Sequence, residues 1–336
     1  MRGNGVVLSL TPAPALPLSG EGEPGRESFP PPERGRIKEG VARPFRQVGF
    51  IRGMVLFCAL VVAQFSGHAA DAPRRVVSFN ICADQLVTAL AEPAQVAGLS
   101  PYAADPVLSV VADDARQFPR IEWQAESTIP LQPDLVLVGP RDRSATQRLL
   151  RALGFRVVEV GLVNTVEAAR AQISEVARLL GQPQRGEALL ARLDAARARL
   201  AAAPRPAANT AMLVERSGYA EGPASLAAAM IAEAGLRPPA GAPAGLGGFV
   251  PLETLVMLRP DLLILHGIYS EAHDQGAVYL THPALAALYP PSRRLVLPER
   301  YTLCGGPALV AAFDYLADAL GRLAAATPAS PQPTPR

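Results

Sequence analysis

Apolar positions along this chain come in short runs separated by helical stretches. Val76-Val77-Ser78-Phe79 is a β-branched run, and residues 83–91 follow with helical character. Leu135-Val136-Leu137-Val138 is apolar throughout and ends at Gly139-Pro140. Residues 144–153 read as a helix stopped by Gly154, and residues 156–160 as another strand. The second half repeats this order. Ala211-Met212-Leu213-Val214 is a strand, residues 224–234 a helix stopped by Gly235, and Leu262-Leu263-Ile264-Leu265 and Arg294-Leu295-Val296-Leu297 are strands. Residues 308–323 form a closing helix. Fully apolar runs alternating with helices predict parallel sheets covered on both faces.

One segment recurs in outline. Glu126 precedes Pro133-Asp134-Leu135-Val136-Leu137 by seven residues, and Glu253 precedes Pro260-Asp261-Leu262-Leu263-Ile264 by seven. In each copy a short helix opening at the glutamate is expected to end before the proline. Pro-Asp then turns the chain into an apolar strand. Pro130 weakens the helix of the first copy. The matched order indicates two lobes of one topology. Between them, residues 166–203 are helical except at Gly181-Gln182-Pro183. Beyond that break Leu189, Leu190, Leu193, Ala196 and Leu200 share one face. At about 1.5 Å per residue, residues 184–203 predict a rigid connector of about 30 Å.

The first seventy residues differ in kind. Residues 1–53 are rich in Pro, Gly, Arg and Glu without apolar period, and read as disorder. Arg52, the apolar run 54–63 and the small residues Ser66-Gly67-His68-Ala69-Ala70 then follow in the order of a secretory signal. That run falls short of the ~20 apolar residues a membrane span needs. So internal a signal suggests that translation starts near Val48 or Met54, with upstream sequence read in frame. The expected organisation is leader 1–53, signal 54–70, first lobe 74–165, connecting helices 166–204, second lobe 205–325 and frayed tail 326–336.

Composition changes once the leader is set aside. The 336 residues carry a formal charge of +2. Residues 1–70 hold eight basic and five acidic groups; the remainder holds 24 and 25, a net charge of −1. Nothing in that balance suggests a nucleic-acid partner. With 49% hydrophobic residues the chain is too apolar to be wholly disordered, and its three cysteines are too few for a disulfide scaffold.

Several quoted segments carry a resemblance. They are Arg75-Val76-Val77-Ser78-Phe79-Asn80 with the following helix, Glu126 with Pro133-Asp134, Leu153-Gly154-Phe155-Arg156-Val157, the connecting helix, Glu253 with Pro260-Asp261, and Cys304-Gly305-Gly306-Pro307. In this order they resemble the iron-chelate and cobalamin class of periplasmic substrate-binding proteins of ABC importers, over residues 74–323. The resemblance implies two Rossmann-like α/β lobes with parallel sheets, joined by one long α-helix (the class III, bilobed arrangement), and a ligand held between them. It implies a monomer exported to the periplasm, with no cofactor and no catalysis. It also implies that Glu126 and Glu253 dock on arginines of a dimeric ABC permease; helix N-terminal acids favoured by the helix dipole are the plain alternative.

Ligands of open α/β sheets sit beyond the carboxyl ends of the strands. The loops there hold Asn80, Tyr102, Trp123, Arg141, Arg216, Tyr219, Phe249, His266, Tyr269 and Tyr301, our candidate ligand-binding set. Amphipathic rings suit a large flat ligand, and the arginines (Arg300 included) suit carboxylates or an anionic ferric chelate. A ferric siderophore or cobalamin is the expected cargo, with haem or a free metal as the alternative. Three histidines beyond the signal fit a bare-metal cage less well, although His266 is a candidate axial ligand. Cys82 and Cys304 both follow strands. Three readings stand: a disulfide beside the cleft, ligand-contacting thiols, or two buried small residues. Against an enzyme, the chain lacks a Gly-x-Gly-x-x-Gly turn after its first strand, a Walker loop, a Gly-x-Ser-x-Gly elbow, His-Glu-x-x-His and Cys-x-x-Cys.

Overall fold

The computed structural model describes residues 72–140, 142–267 and 275–326. The expected leader and signal, the tail from residue 327, and the candidates Arg141 and Tyr269 lie outside the described residues. The first lobe runs β1 (Val76–Ser78), α1 (Ile81–Leu90), β2 (Val96–Gly98), α2 (Ala112–Ala115), α3 (Ala125–Thr128), β3 (Leu135–Val138), α4 (Ser144–Ala152) and β4 (Val157–Glu159). Helices α5 (Val166–Leu179) and α6 (Pro183–Ala202) follow. The second lobe runs β5 (Ala211–Val214), β6 (Tyr219–Glu221), α7 (Leu226–Glu233), β7 (Gly247–Phe249), α8 (Leu252–Leu258), β8 (Leu262–His266), α9 (Gln275–Thr281), α10 (Pro283–Leu288) and β9 (Arg294–Leu297), and α11 (Pro307–Ala326) closes the chain.

The first sheet has the order β2-β1-β3-β4 and is parallel throughout. The second has the order β7-β6-β5-β8-β9. Its β5, β8 and β9 repeat β1, β3 and β4, also in parallel. The expectation of a second parallel sheet fails at one edge, where β6 and β7 pair antiparallel. Only four residues, Glu215 to Gly218, separate β5 from β6, and Ser217 and Gly218 take left-handed φ of 59° and 81°. So tight a reversal permits only an antiparallel partner, because a parallel one needs a long crossover. The place β2 takes in the first sheet is reduced here to one parallel bridge, Thr210 to Arg237.

Alternation along the buried strands divides the core. Val76, Leu135, Leu137, Leu213, Leu262 and Ile264 face one continuous cluster that also takes Ile173 of α5, Leu189, Leu193 and Leu200 of α6, and Phe313 and Leu316 of α11. The opposite faces close separately. Val77, Val136 and Val138 pack with Leu150 in the first lobe, and Met212, Val214, Leu263 and Leu265 pack with Tyr289 in the second. A fully buried leucine contributes about 1.5–3 kcal/mol relative to exposure. The α6 stripe, 0–4% exposed at its three leucines, is therefore a main tie between the sheets.

The repeated Pro-Asp does more than turn the chain. Asp134 accepts the N–H groups of Arg74 (2.6 Å) and Arg75 (3.0 Å), which lead into β1. Asp261 accepts those of Asn209 and Thr210, each at 2.9 Å, which lead into β5. Each aspartate thus fastens the start of the neighbouring parallel strand. The residues before the prolines, Gln132 and Arg259, adopt the left-handed region (φ 45° in both) rather than the extended one expected before proline. In the first copy Pro130 splits the helix into α3 and a 3-10 turn, Ile129–Leu131. The backbone bonds from Asn209 and Thr210 hold the Asp261 carboxyl below the usual carboxylate range. Its contribution is present above that range and lost as pH falls through the depressed value. Asp261→Asn should cost about 1.5–3 kcal/mol in urea unfolding at pH 7. The cost should shrink toward zero in acid; an equal cost at pH 7 and pH 3 would reject the clamp.

Candidate functional site

The C-terminal strand ends of the two sheets carry the candidate residues. In the first lobe the chain leaves β1 at Asn80, which caps α1 by accepting the N–H of Cys82 at 2.9 Å. Its amide Nδ2 donates to Asp142 at 2.7 Å, and Asp142 also accepts the N–H of Gly139 at 3.1 Å. One end of the Asn80 amide therefore caps α1 while the other fixes the loop after β3. The rings lie beside this clamp. Tyr102, 43% exposed, packs on Trp123 with centroids 5.0 Å apart. The guanidinium of Arg143 lies over the indole at 4.7 Å. Arg143 was no sequence candidate; the only hint was its place in the loop that follows an apolar strand.

In the second lobe Tyr219 and Phe249 face each other across the β6–β7 pair, edge to face at 5.5 Å. Phe249 is 74% exposed. Arg216 is exposed on the turn after β5. His266 does not present itself as an axial ligand. It is buried, with Nε2 2.5 Å from the Thr302 hydroxyl and Nδ1 3.4 Å from Glu215, and burial pushes its pKa down to about 4. A neutral imidazole engaged at both nitrogens forms the floor of this wall. Desolvation, helped by a hydrogen bond with Glu221 and the charge of Glu299, raises Glu215 to about 7. In the first lobe burial likewise lifts Asp84 to about 7 against its bonds to Ser100, whose hydroxyl is 2.5 Å away.

A strap between β9 and α11 brings the two sets of loops together. Arg300 donates to the Pro106 carbonyl at 3.0 Å and lies over the Tyr301 ring at 5.0 Å. It thus links the lobes. Tyr301 stacks on Tyr315 of α11 and packs against the shared core, so most of its ring serves the scaffold. Cys304 is bonded to Cys82, with Cα atoms 5.2 Å apart, which selects the disulfide among the three cysteine readings. Gly305 and Gly306 let the strap lie directly on Ala169 of α5 and Leu86 of α1, with no room for a β-carbon. Away from these loops, Glu126 and Glu253 are exposed in the first turns of α3 and α8 and have no ion-pair or hydrogen-bond partner among the described residues.

Two α/β lobes on one core, with ringed loops at the C-terminal ends of both sheets, define a bilobed ligand-binding protein. A model of the periplasmic binding protein family matches residues 76–275, and the chain belongs to that family. Its members are binding proteins rather than enzymes, in agreement with the non-catalytic reading. Similar solved structures include the periplasmic haem-binding protein RhuT from Roseiflexus sp. RS-1, in apo form, at 25% identity and a TM-score of 0.59, covering 75% of this chain and 99% of that one. The periplasmic vitamin B12 binding protein BtuF of Vibrio cholerae aligns at 16% identity and a TM-score of 0.56, over 75% and 98%. An ABC-type Fe3+-hydroxamate transport protein from Saccharomonospora viridis DSM 43017 aligns at 22% and 0.56, over 74% and 94%. A search of curated proteins by sequence found no match. No helix among the described residues is long and apolar enough to cross a membrane.

Two measurements check this geometry. Asp84 and Glu215 titrate near 7 in the folded chain, well above their ordinary 3.8 and 4.5. Their stabilisation is complete below the ordinary values and lost as pH rises through about 7. His266 works oppositely, but only below its ordinary 6.5. The unfolding midpoint should therefore be lower at pH 8 than at pH 6.5, and Asp84→Asn with Glu215→Gln should remove the difference. A wild-type midpoint that rises over this window would contradict the assignment. Thiol titration of the denatured, unreduced chain after leader removal should find no free thiol, and two after reduction; two before reduction would refute the disulfide.

Proposed function

We propose that this chain is the solute receptor of an ABC importer, and that it takes a ferric siderophore, cobalamin or haem between its lobes for delivery to the permease. The observation that carries the reading is the placing of a partly exposed ring pair on each lobe, Tyr102 with Trp123 on one and Phe249 with Tyr219 on the other. Exposed aromatic surface on two facing lobes suits a large, partly flat chelate, which needs broad apolar contact with a few polar groups at its rim. The similar structures include proteins for haem, vitamin B12 and ferric hydroxamate, so haem stands level with the other two. Among the described residues no three His, Cys, Asp or Glu side chains are grouped to hold a bare ion, so a chelated metal is the better-supported cargo. The matched exposure of Glu126 and Glu253, each free at the first turn of its helix, supports docking on a two-fold permease.

The purified mature chain should lose Trp123 fluorescence on titration with at least one of haemin, a ferric siderophore or cyanocobalamin. Glu126→Arg with Glu253→Arg should leave that affinity within about twofold and reduce cellular uptake of the same chelate at least tenfold, as expected where rim charges steer docking. No quenching by any of these probes would reject the ligand class. Unchanged uptake by the double variant would reject the docking role.

A further inference from the structure

We propose that Arg143 determines which chelates the first lobe accepts, by taking an anionic oxygen at the edge of the ligand while Trp123 and Tyr102 cover its face. The inference rests on the receptor reading above and deepens it. The loop that carries Arg143 is built rather than loose. Asp142 is held by Asn80 and Gly139, and the Gln147 amide donates to the carbonyls of Gly139 (3.2 Å) and Asp142. Arg143 itself sits at the N-cap of α4 in the left-handed region, φ 45° and ψ 51°, without a capping side-chain bond. That conformation is unfavourable for a non-glycine residue, so an arginine there calls for a return outside the helix cap.

The guanidinium supplies one. Its face is occupied by the indole at 4.7 Å, and no acidic group among the described residues pairs with it. A stacked guanidinium keeps its N–H fork in the plane, so the edge remains available to a carboxylate, phosphate or catecholate oxygen. Tyr102 adds a second ring beside Trp123, with centroids 5.0 Å apart. The second lobe differs: there Glu215 shares a hydrogen bond with Glu221 and lies 3.4 Å from the neutral His266. A ligand with an anionic edge is therefore oriented in the first lobe, with that edge on Arg143 and its flat face on the Trp123 ring.

The test titrates the mature wild-type chain and the variants Arg143→Gln, Arg143→Lys and Arg143→Gly with four probes by tryptophan quenching. Haemin, ferric enterobactin and cyanocobalamin carry carboxylate, catecholate and phosphate oxygens; ferrioxamine B is a net cation. The expected result is that wild type binds at least one of the first three. Arg143→Gln and Arg143→Gly should each weaken it at least tenfold, and Arg143→Lys, which keeps the charge but not the fork, should fall between. Arg143→Gly should be at least as stable as wild type in urea, because glycine relaxes the left-handed position, so weaker binding there is not lost folding. Binding of an oxygen-anion probe that Arg143→Gln leaves unchanged would overturn the proposal. So would tight binding of ferrioxamine B alone, which would leave the receptor reading intact. Failure of all four probes would overturn the receptor reading itself.

Discussion

The structure depends on one shared apolar core. Two sheets, one parallel and one mixed, each bury one face on the same helices, α5, α6 and α11, so neither lobe completes its packing without the connector. Leu193 and Leu200 of α6 and Phe313 of α11 are wholly buried in this seam. Because interiors are close-packed, such a seam resists large rearrangement. A hinge of flexible linkers would leave the lobes free to swing. This arrangement favours small adjustments around a fixed pair of walls, reinforced by the Cys82–Cys304 bond and the strap that rests on α1 and α5.

With the scaffold fixed on one side, chemistry is confined to the loops at the C-terminal strand ends. The first lobe offers a π-platform with an arginine; the second offers the Tyr219–Phe249 pair, with a half-buried carboxyl beside a buried imidazole on neighbouring strands. The duplicated fold therefore does not produce a duplicated site. The repeat persists where it serves folding, in the Pro-Asp clamps, and on the outer helices that carry Glu126 and Glu253. It breaks where a ligand would lie, as expected of a receptor for an asymmetric molecule.

Much of this was legible in the sequence because fully buried parallel strands leave a strong mark. Leu135–Val138, Ala211–Val214 and Arg294–Leu297 match their apolar runs residue for residue, and the connector's buried face follows its helical spacing. The repeated Glu and Pro-Asp gave the two lobes, although the aspartates' role as clamps on β1 and β5 needs a partner about 50–60 residues away, which no local pattern records. The antiparallel edge escapes a sequence reading because Gly247-Gly248-Phe249 has no strand-like composition and β7 reaches its partner β6 only after the intervening helix α7. Asn80 directly follows β1 and Tyr219 and Phe249 bound β6 and β7, whereas Tyr102 and Trp123 lie in the long segment between β2 and β3, and Asn80 is spent on capping α1 and holding the loop after β3. His266 was a candidate by its position after β8, yet its burial and its bond to Thr302 are tertiary facts. Arg143 escaped for the same reason: its stacking on Trp123 joins two loops separated by most of α3 and β3.

The most direct test of the account is a crystal structure of residues 71–336 with their tightest-binding chelate. The account predicts one chelate between the lobes, in contact with Tyr102 or Trp123 on one side and Phe249 or Tyr219 on the other, with both sheets and the α6–α11 seam unchanged. A chelate bound away from these rings, or held by one lobe alone, would contradict it.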